Sequence, residues 1–184
     1  MANVLVPLAH GCEELEAVTV IDLLRRAGID VTSAGLEEGP VRASRGVVLV
    51  PDTTLEQALA REYDMVVLPG GLPGADHLAA DARIIALVQD MAQRGGITAA
   101  ICAAPRVLAR AGLLDNRSAT SFPGAIDTGS IPGIDYREQA VVIDGRIVTS
   151  RGPGTAMDFA LALVELLVGR ETRDKVETAL QRPH

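Results

Sequence analysis

Thr98-Ala99-Ala100-Ile101-Cys102-Ala103-Ala104-Pro105-Arg106 is the stretch around which the rest of this chain is organised. Its first half is small and apolar, the composition of a strand buried on both faces of a parallel sheet. Pro105 suits the first turn of a helix. Val107, Leu108 and Ala111 then keep helical spacing until Gly112 stops it. Cys102 therefore falls on the sharp turn between strand and helix. A thiol placed there is pushed out of the sheet edge toward the positive end of a helix dipole, which favours thiolate over thiol. This is the geometry of a nucleophile elbow built with cysteine. The stretch by itself is equally compatible with a buried structural cysteine, since free Cys is among the most buried residue types.

The alternation of buried strand and helix extends outward from it. Upstream, Ala2 to Leu8 reads as the first strand, a helix follows from about Glu13 to Ala27, and Ile29 to Ala34 is a second strand. Val47 to Val50 reads as a short strand and Leu55 to Ala60 as one or two helical turns. Asp64 to Leu68 is another buried strand, running into Pro69-Gly70-Gly71-Leu72-Pro73-Gly74, and Ala82 to Gln93 is an amphipathic helix. Downstream, Asp115 to Arg137 is rich in Gly, Pro, Ser and Asp and is expected to be a long, partly irregular connection. Asp144-Gly145 between two apolar runs is a hairpin signature, Thr155 to Val168 an apolar helix, and Glu171 to Leu180 a polar one. With no repeat or linker, residues 1–184 are expected to form one α/β domain, a mostly parallel sheet with helices on both faces.

Composition narrows the function. The chain is 48% hydrophobic but only 2% aromatic and lacks Trp, so its core must be aliphatic. A net charge of -7 argues against a nucleic-acid backbone as partner. Two distant cysteines make no disulfide framework and three scattered histidines no zinc site, so neither metal nor organic cofactor is expected. No apolar stretch approaches membrane-span length, and the N-terminus lacks a charged lead and a long apolar run, so a reducing cytoplasm is the expected location.

The first helix adds a second candidate. At about 100° per residue, Glu16 projects toward the sheet among Val20, Leu23, Leu24 and Ala27. Burial raises a Glu pKa and a nearby thiolate raises it further, so this carboxyl is expected to stay protonated and donate to the Cys102 sulfur. Glu13 and Glu14 are read instead as carboxylates satisfied by backbone amides at the helix start. Gly70 and Gly71 are a third candidate, because consecutive glycines let backbone N–H groups approach an anion. The Gly71 and Ala103 amides would together form an oxyanion hole beside Cys102.

Taken together, GCEELEAVTVIDLLRRAGI, SRGV, YDMVVLPGG, AAICAAP and TSRGPGTAMDFAL resemble, in order and spacing, the ThiJ/PfpI superfamily, in the branch of the parkinsonism-associated deglycase and its bacterial YajL-type relatives. The resemblance implies a flavodoxin-like fold, a homodimer, Cys102 as reactive cysteine and Glu16 as its protonated partner. It implies that Arg45, and Arg26 across the dimer interface, line the pocket for an anionic group, and that Gly152 and Pro153 close it, also from the facing subunit. Phe122 stands where strongly active glyoxalases of the superfamily carry a histidine, and Ala103 where its peptidases do. His10 is read as a surface loop residue and His77 as a helix-surface one. Cys12 shares the sheet edge with Cys102; incidental packing is favoured over a resolving role there. The leading expectation is cofactor-independent conversion of 2-oxoaldehydes, methylglyoxal to lactate, or deglycation of protein adducts. The alternative is an oxidative-stress sensor or chaperone using the same cysteine.

Overall fold

The chain is described by a computed structural model over residues 1–182; the third histidine, His184, lies outside the described residues. Strands occupy β1 Asn3–Leu8, β2 Asp30–Gly35, β3 Val41–Arg42, β4 Val48–Leu49, β5 Thr53–Thr54, β6 Met65–Leu68, β7 Ile97–Ile101, β8 Ser118–Ala119, β9 Asp135–Tyr136, β10 Val141–Asp144 and β11 Ile147–Ser150. Helices occupy α1 Glu14–Arg26, α2 Leu55–Ala58, α3 Gly74–Ala80, α4 Ala82–Gln93, α5 Pro105–Arg110, α6 Ala156–Val168 and α7 Arg170–Ala179.

Seven strands form the main sheet in the order β10-β11-β7-β6-β1-β2-β5. All neighbours run parallel except β10, which the Asp144-Gly145 turn folds back on β11. Side chains of the central strands alternate between two aliphatic layers. Val4, Val6, Met65, Val67, Ala99 and Ile101 pack on one face with α1, α6 and Val176 of α7. Leu5, Val66, Leu68 and Ala100 pack on the other with α2, α3, α4 and α5. A parallel sheet whose strands are buried on both faces needs helices on both, which is why β6 and β7 read as unbroken apolar runs.

Four expectations need correction. Val48–Leu49 does not join the main sheet; it pairs antiparallel with Val41–Arg42 in a separate ribbon. Gly74–Ala80 is a helix for which the sequence reading set no bounds, although it placed His77 on a helix surface. This helix stops where Asp81, in an extended conformation, caps the next by accepting from the Arg83 amide at 2.9 Å. The main sheet also has an edge strand at Thr53–Thr54, a site too short for any period to declare. Within 115–137, β8 and β9 pair with each other, so the connection is less irregular than its composition implies.

Phe159 is the largest fully buried side chain and lies in the α1, α6 layer. Phe159→Ala is expected to lower stability by about 3–5 kcal/mol, read as an earlier urea midpoint at unchanged slope. A loss below about 1 kcal/mol would mean that this layer does not carry the fold.

Candidate active site

Cys102 is the residue after β7 and the turn onto α5, with a positive φ of +63° that few non-glycine residues adopt. Two backbone hydrogen bonds hold it there: its amide donates to Ser150 O at 2.9 Å, and its carbonyl accepts from Phe122 N–H at 2.8 Å. It is 8% exposed. Gly70, at the end of β6, packs directly on it. A Cβ on Gly70 would stand 2.5 Å from Cys102 Cβ and 2.8 Å from Ile101 O, so no other residue fits without moving the elbow. Gly71 combines a φ of +85° with contact against the Glu13 amide. The elbow and the glycine turn thus lie in contact at the carboxyl ends of neighbouring strands, the usual ligand edge of such sheets.

Glu16 completes the cluster. Its side chain is 0% exposed. One oxygen, Oε2, accepts from the Gly70 N–H at 2.8 Å. The other, Oε1, has no partner that meets hydrogen-bond geometry among the described residues. Burial pushes the carboxyl up to about 7, against the pull of the Gly70 amide and of Cys102. Burial, and next the charge of Glu16, pushes the Cys102 thiol up to about 12, while the Gly71 and Ala103 amides pull it down. Burial and Glu16 thus work against the thiolate that the sequence reading expected at the helix start. α5 is only a short helix, and burial beside the Glu16 carboxyl raises the thiol. Sulfur and carboxyl compete for one negative charge, and a thiolate requires the proton to sit on Glu16.

A cavity of about 420 Å³ opens over the sulfur. Among the residues singled out from sequence, it is lined by Cys102, Gly71, Ala103, Arg45 and Pro153. Pro153 reaches it from the same chain, so no second subunit is needed for that contact. Gly70 lies behind the sulfur with its amide committed to Glu16, so that amide is not available to a substrate. Gly152 is packed beside the Phe122 ring, outside the cavity lining. Arg26 does not line the cavity of its own chain; it pairs on the surface with Asp22 at 2.7 Å.

Glu13 and Glu14 are satisfied by polar partners, Glu14 by its own amide at the helix start as expected and both by a loop. Ser44 donates its hydroxyl to Glu13 at 2.9 Å, and Glu14 accepts from the Arg45 amide at 3.0 Å. Together they fasten the Ser44-Arg45 segment beside the site. Cys12 is fully buried, absent from the cavity, and pushed up to about 12 chiefly by burial, the profile of a packing cysteine. His10 and His77 lie elsewhere, His10 accepting from the Arg42 amide at 3.0 Å. Phe122 lines the cavity with no proton to offer. Arg106 lines it too and was not singled out from sequence. The signal was available: four residues after Cys102 at a helix start, a long side chain leans back toward the elbow.

Residues 2–166 match the model of the DJ-1/PfpI family. The chain is 44% identical over 180 residues to the protein dj-1beta of Drosophila melanogaster, covering 97% of this chain and 96% of that protein. It is 37% identical over 170 residues to the glutathione-independent glyoxalase DJR-1.2 of Caenorhabditis elegans, covering 92% and 90%. The crystal structure of Drosophila DJ-1beta superposes with a TM-score of 0.93 at 42% identity, over 100% of this chain and 99% of that one.

The buried Glu16 carboxyl has a measurable signature. Its folded-state pKa, near 7, lies above the ordinary 4.5, so the proton favours the fold. That contribution is complete below pH 4.5 and is lost as pH rises through about 7. Between these values the wild type is expected to lose stability relative to Glu16→Gln in urea titrations. Parallel pH profiles would show that Glu16 is not the group that titrates.

Proposed function

The chain belongs to the DJ-1/PfpI family, and from that membership we propose that it is a cofactor-independent cysteine enzyme acting on 2-oxoaldehydes, converting methylglyoxal to lactate in the manner of a glutathione-independent glyoxalase. One observation carries the reading: the Cys102 thiol, the Glu16 carboxyl with an unpartnered oxygen, and the Gly71 and Ala103 amides share one small site under a cavity. The printed activity of the Caenorhabditis relative supports the reaction class.

In this mechanism Glu16 takes the thiol proton as the sulfur bonds to the aldehyde carbon, and the carbonyl electrons move onto oxygen. The Gly71 and Ala103 amides receive that oxyanion. Glu16 then moves protons between the two carbons through an enediol. Addition of water to the resulting thioester releases lactate and restores the thiol, so methylglyoxal and one water account for every atom. Phe122 takes no part in proton transfer, so Glu16 and water carry all of it. The same attack on an aldehyde-derived adduct would constitute deglycation. The enzyme would act as a single domain in a homodimer, for which half-exposed Leu15 and Val18 on α1 offer apolar surface. A reducing cytoplasm suits its two free cysteines.

Cys102→Ser is expected to reduce lactate release from methylglyoxal to background, and Glu16→Gln to lower kcat by about 100-fold. Turnover that survives in Cys102→Ser would overturn the assignment.

A second reading, an oxidation sensor or chaperone, draws support from the same unpartnered Glu16 oxygen: a protonated Glu16 could donate from it to a sulfinate on Cys102. Dilute peroxide is then expected to modify Cys102 before Cys12, read by peptide mass spectrometry. Oxidation of Cys12 first would reject it.

A further inference from the structure

The cavity over Cys102 is several times the volume of methylglyoxal, and one of its walls is a guanidinium for which the reaction above has no use. Arg106 is held in place at two points. Its Nε donates to Ala103 O at 3.2 Å, and its Nη1 pairs with Asp76 of α3. Nη2 makes no hydrogen bond among the described residues, and the side chain is 27% exposed. Asp76 is not part of the cavity wall, so it orients the guanidinium from outside the substrate space. The wall also carries Arg45 and a single carboxylate, Glu13, which takes the Ser44 hydroxyl. Leu72 and Phe122 supply apolar wall.

We propose that Arg106 is a specificity-determining residue that receives the anionic end of the substrate, so that the site prefers a 2-oxoaldehyde carrying a carboxylate on a short aliphatic chain. The proposal rests on the aldehyde chemistry proposed above and names its substrate class. A guanidinium with its Nη2 uncommitted offers a carboxylate a charged donor, and partial burial strengthens the charge-assisted bond. The apolar wall covers the intervening methylenes. A cationic lysine-derived adduct would meet two guanidinium groups instead. With 4,5-dioxopentanoate as probe, one water adds, the aldehyde carbon becomes a carboxylate and the ketone carbon an alcohol. The product is 2-hydroxyglutarate, and no outside oxidant is consumed.

Two measurements test this separately from turnover. The first compares alkylation of Cys102 by iodoacetate and by its neutral isostere iodoacetamide. Arg106→Gln is expected to lower the iodoacetate-to-iodoacetamide rate ratio about tenfold, and Arg106→Lys to keep most of it. An unchanged ratio in Arg106→Gln overturns the proposal. The second uses wild type alone, in case that variant does not fold: unreactive glutarate should protect Cys102 from iodoacetamide, and no protection overturns the proposal. In turnover, the preference for 4,5-dioxopentanoate over methylglyoxal, as kcat/KM, is expected to fall about tenfold in Arg106→Gln. Wild type that alkylates as expected but converts neither aldehyde keeps the anion site and rejects the aldehyde chemistry. Wild type that converts methylglyoxal with no preference for the carboxylate substrate keeps the chemistry and rejects the role of Arg106.

Discussion

A carboxyl group without exposed surface sits beside the ends of β6 and β7, and its firm hydrogen bond comes from the amide of Gly70. Burying a carboxyl is costly unless it is neutral or bonded, and here both remedies operate, one on each oxygen. Oε2 has the amide, whereas Oε1 has only the neighbourhood of the sulfur and a raised affinity for a proton. The rest of the site follows from holding that contact. Gly70 must lack a side chain because the elbow packs against it, and Gly71 because a Cβ there would run into the Glu13 amide nitrogen. The Glu13 amide itself donates to Gly70 O at 2.9 Å, so the start of α1 and the glycine turn hold each other.

The arrangement changes what activates the cysteine. In an elbow that relied on a helix dipole, the sulfur would ionise on its own. Here burial and the charge of Glu16 keep the thiol protonated, and only the Gly71 and Ala103 amides oppose them. The two groups are coupled within one buried site: the charge of Glu16 holds the proton on the thiol, while Cys102 pulls against the burial that raises the carboxyl. In the reaction proposed above such a thiol is ionised in the act of attack, when the sulfur's proton passes to the carboxyl and the new negative charge moves onto an oxygen facing the amides.

Much of this was legible in the sequence. β7 and the elbow were readable because a both-sides-buried strand has a distinctive composition, and Asp144-Gly145 because its turn admits few residues. Glu16 was readable because a carboxylate on an apolar helical face needs a reason. The sign of the Cys102 shift was not, because it depends on desolvation at a distance of ångströms, which spacing along a chain does not encode. The start of α3 was obscured by Pro73 and Gly74, where the chain passes tightly against Cys12, although His77 was read as lying on a helix. The Val41–Arg42 ribbon was hidden because two-residue pairs leave no period. Arg26 was carried over from resemblance alone, and its partner Asp22, four residues earlier on the same exposed face, offers it an ordinary helical ion pair.

Phe122 shows how one position can hold the elbow while its side chain does something different. Its backbone amide donates to Cys102 O, a contact that any residue but proline could make. The ring lies against Gly152, where an added Cβ would come within 3.3 Å of it; it lines the cavity and is half exposed to solvent. Replacing a proton-carrying imidazole by a hydrocarbon ring at that point removes an acid–base group and adds apolar wall. In the mechanism proposed above the loss leaves proton movement to Glu16, whose raised pKa of about 7 lets it hold a proton near neutral pH. The gain is a hydrocarbon surface in the lining of the cavity over Cys102. Both consequences follow from one side chain.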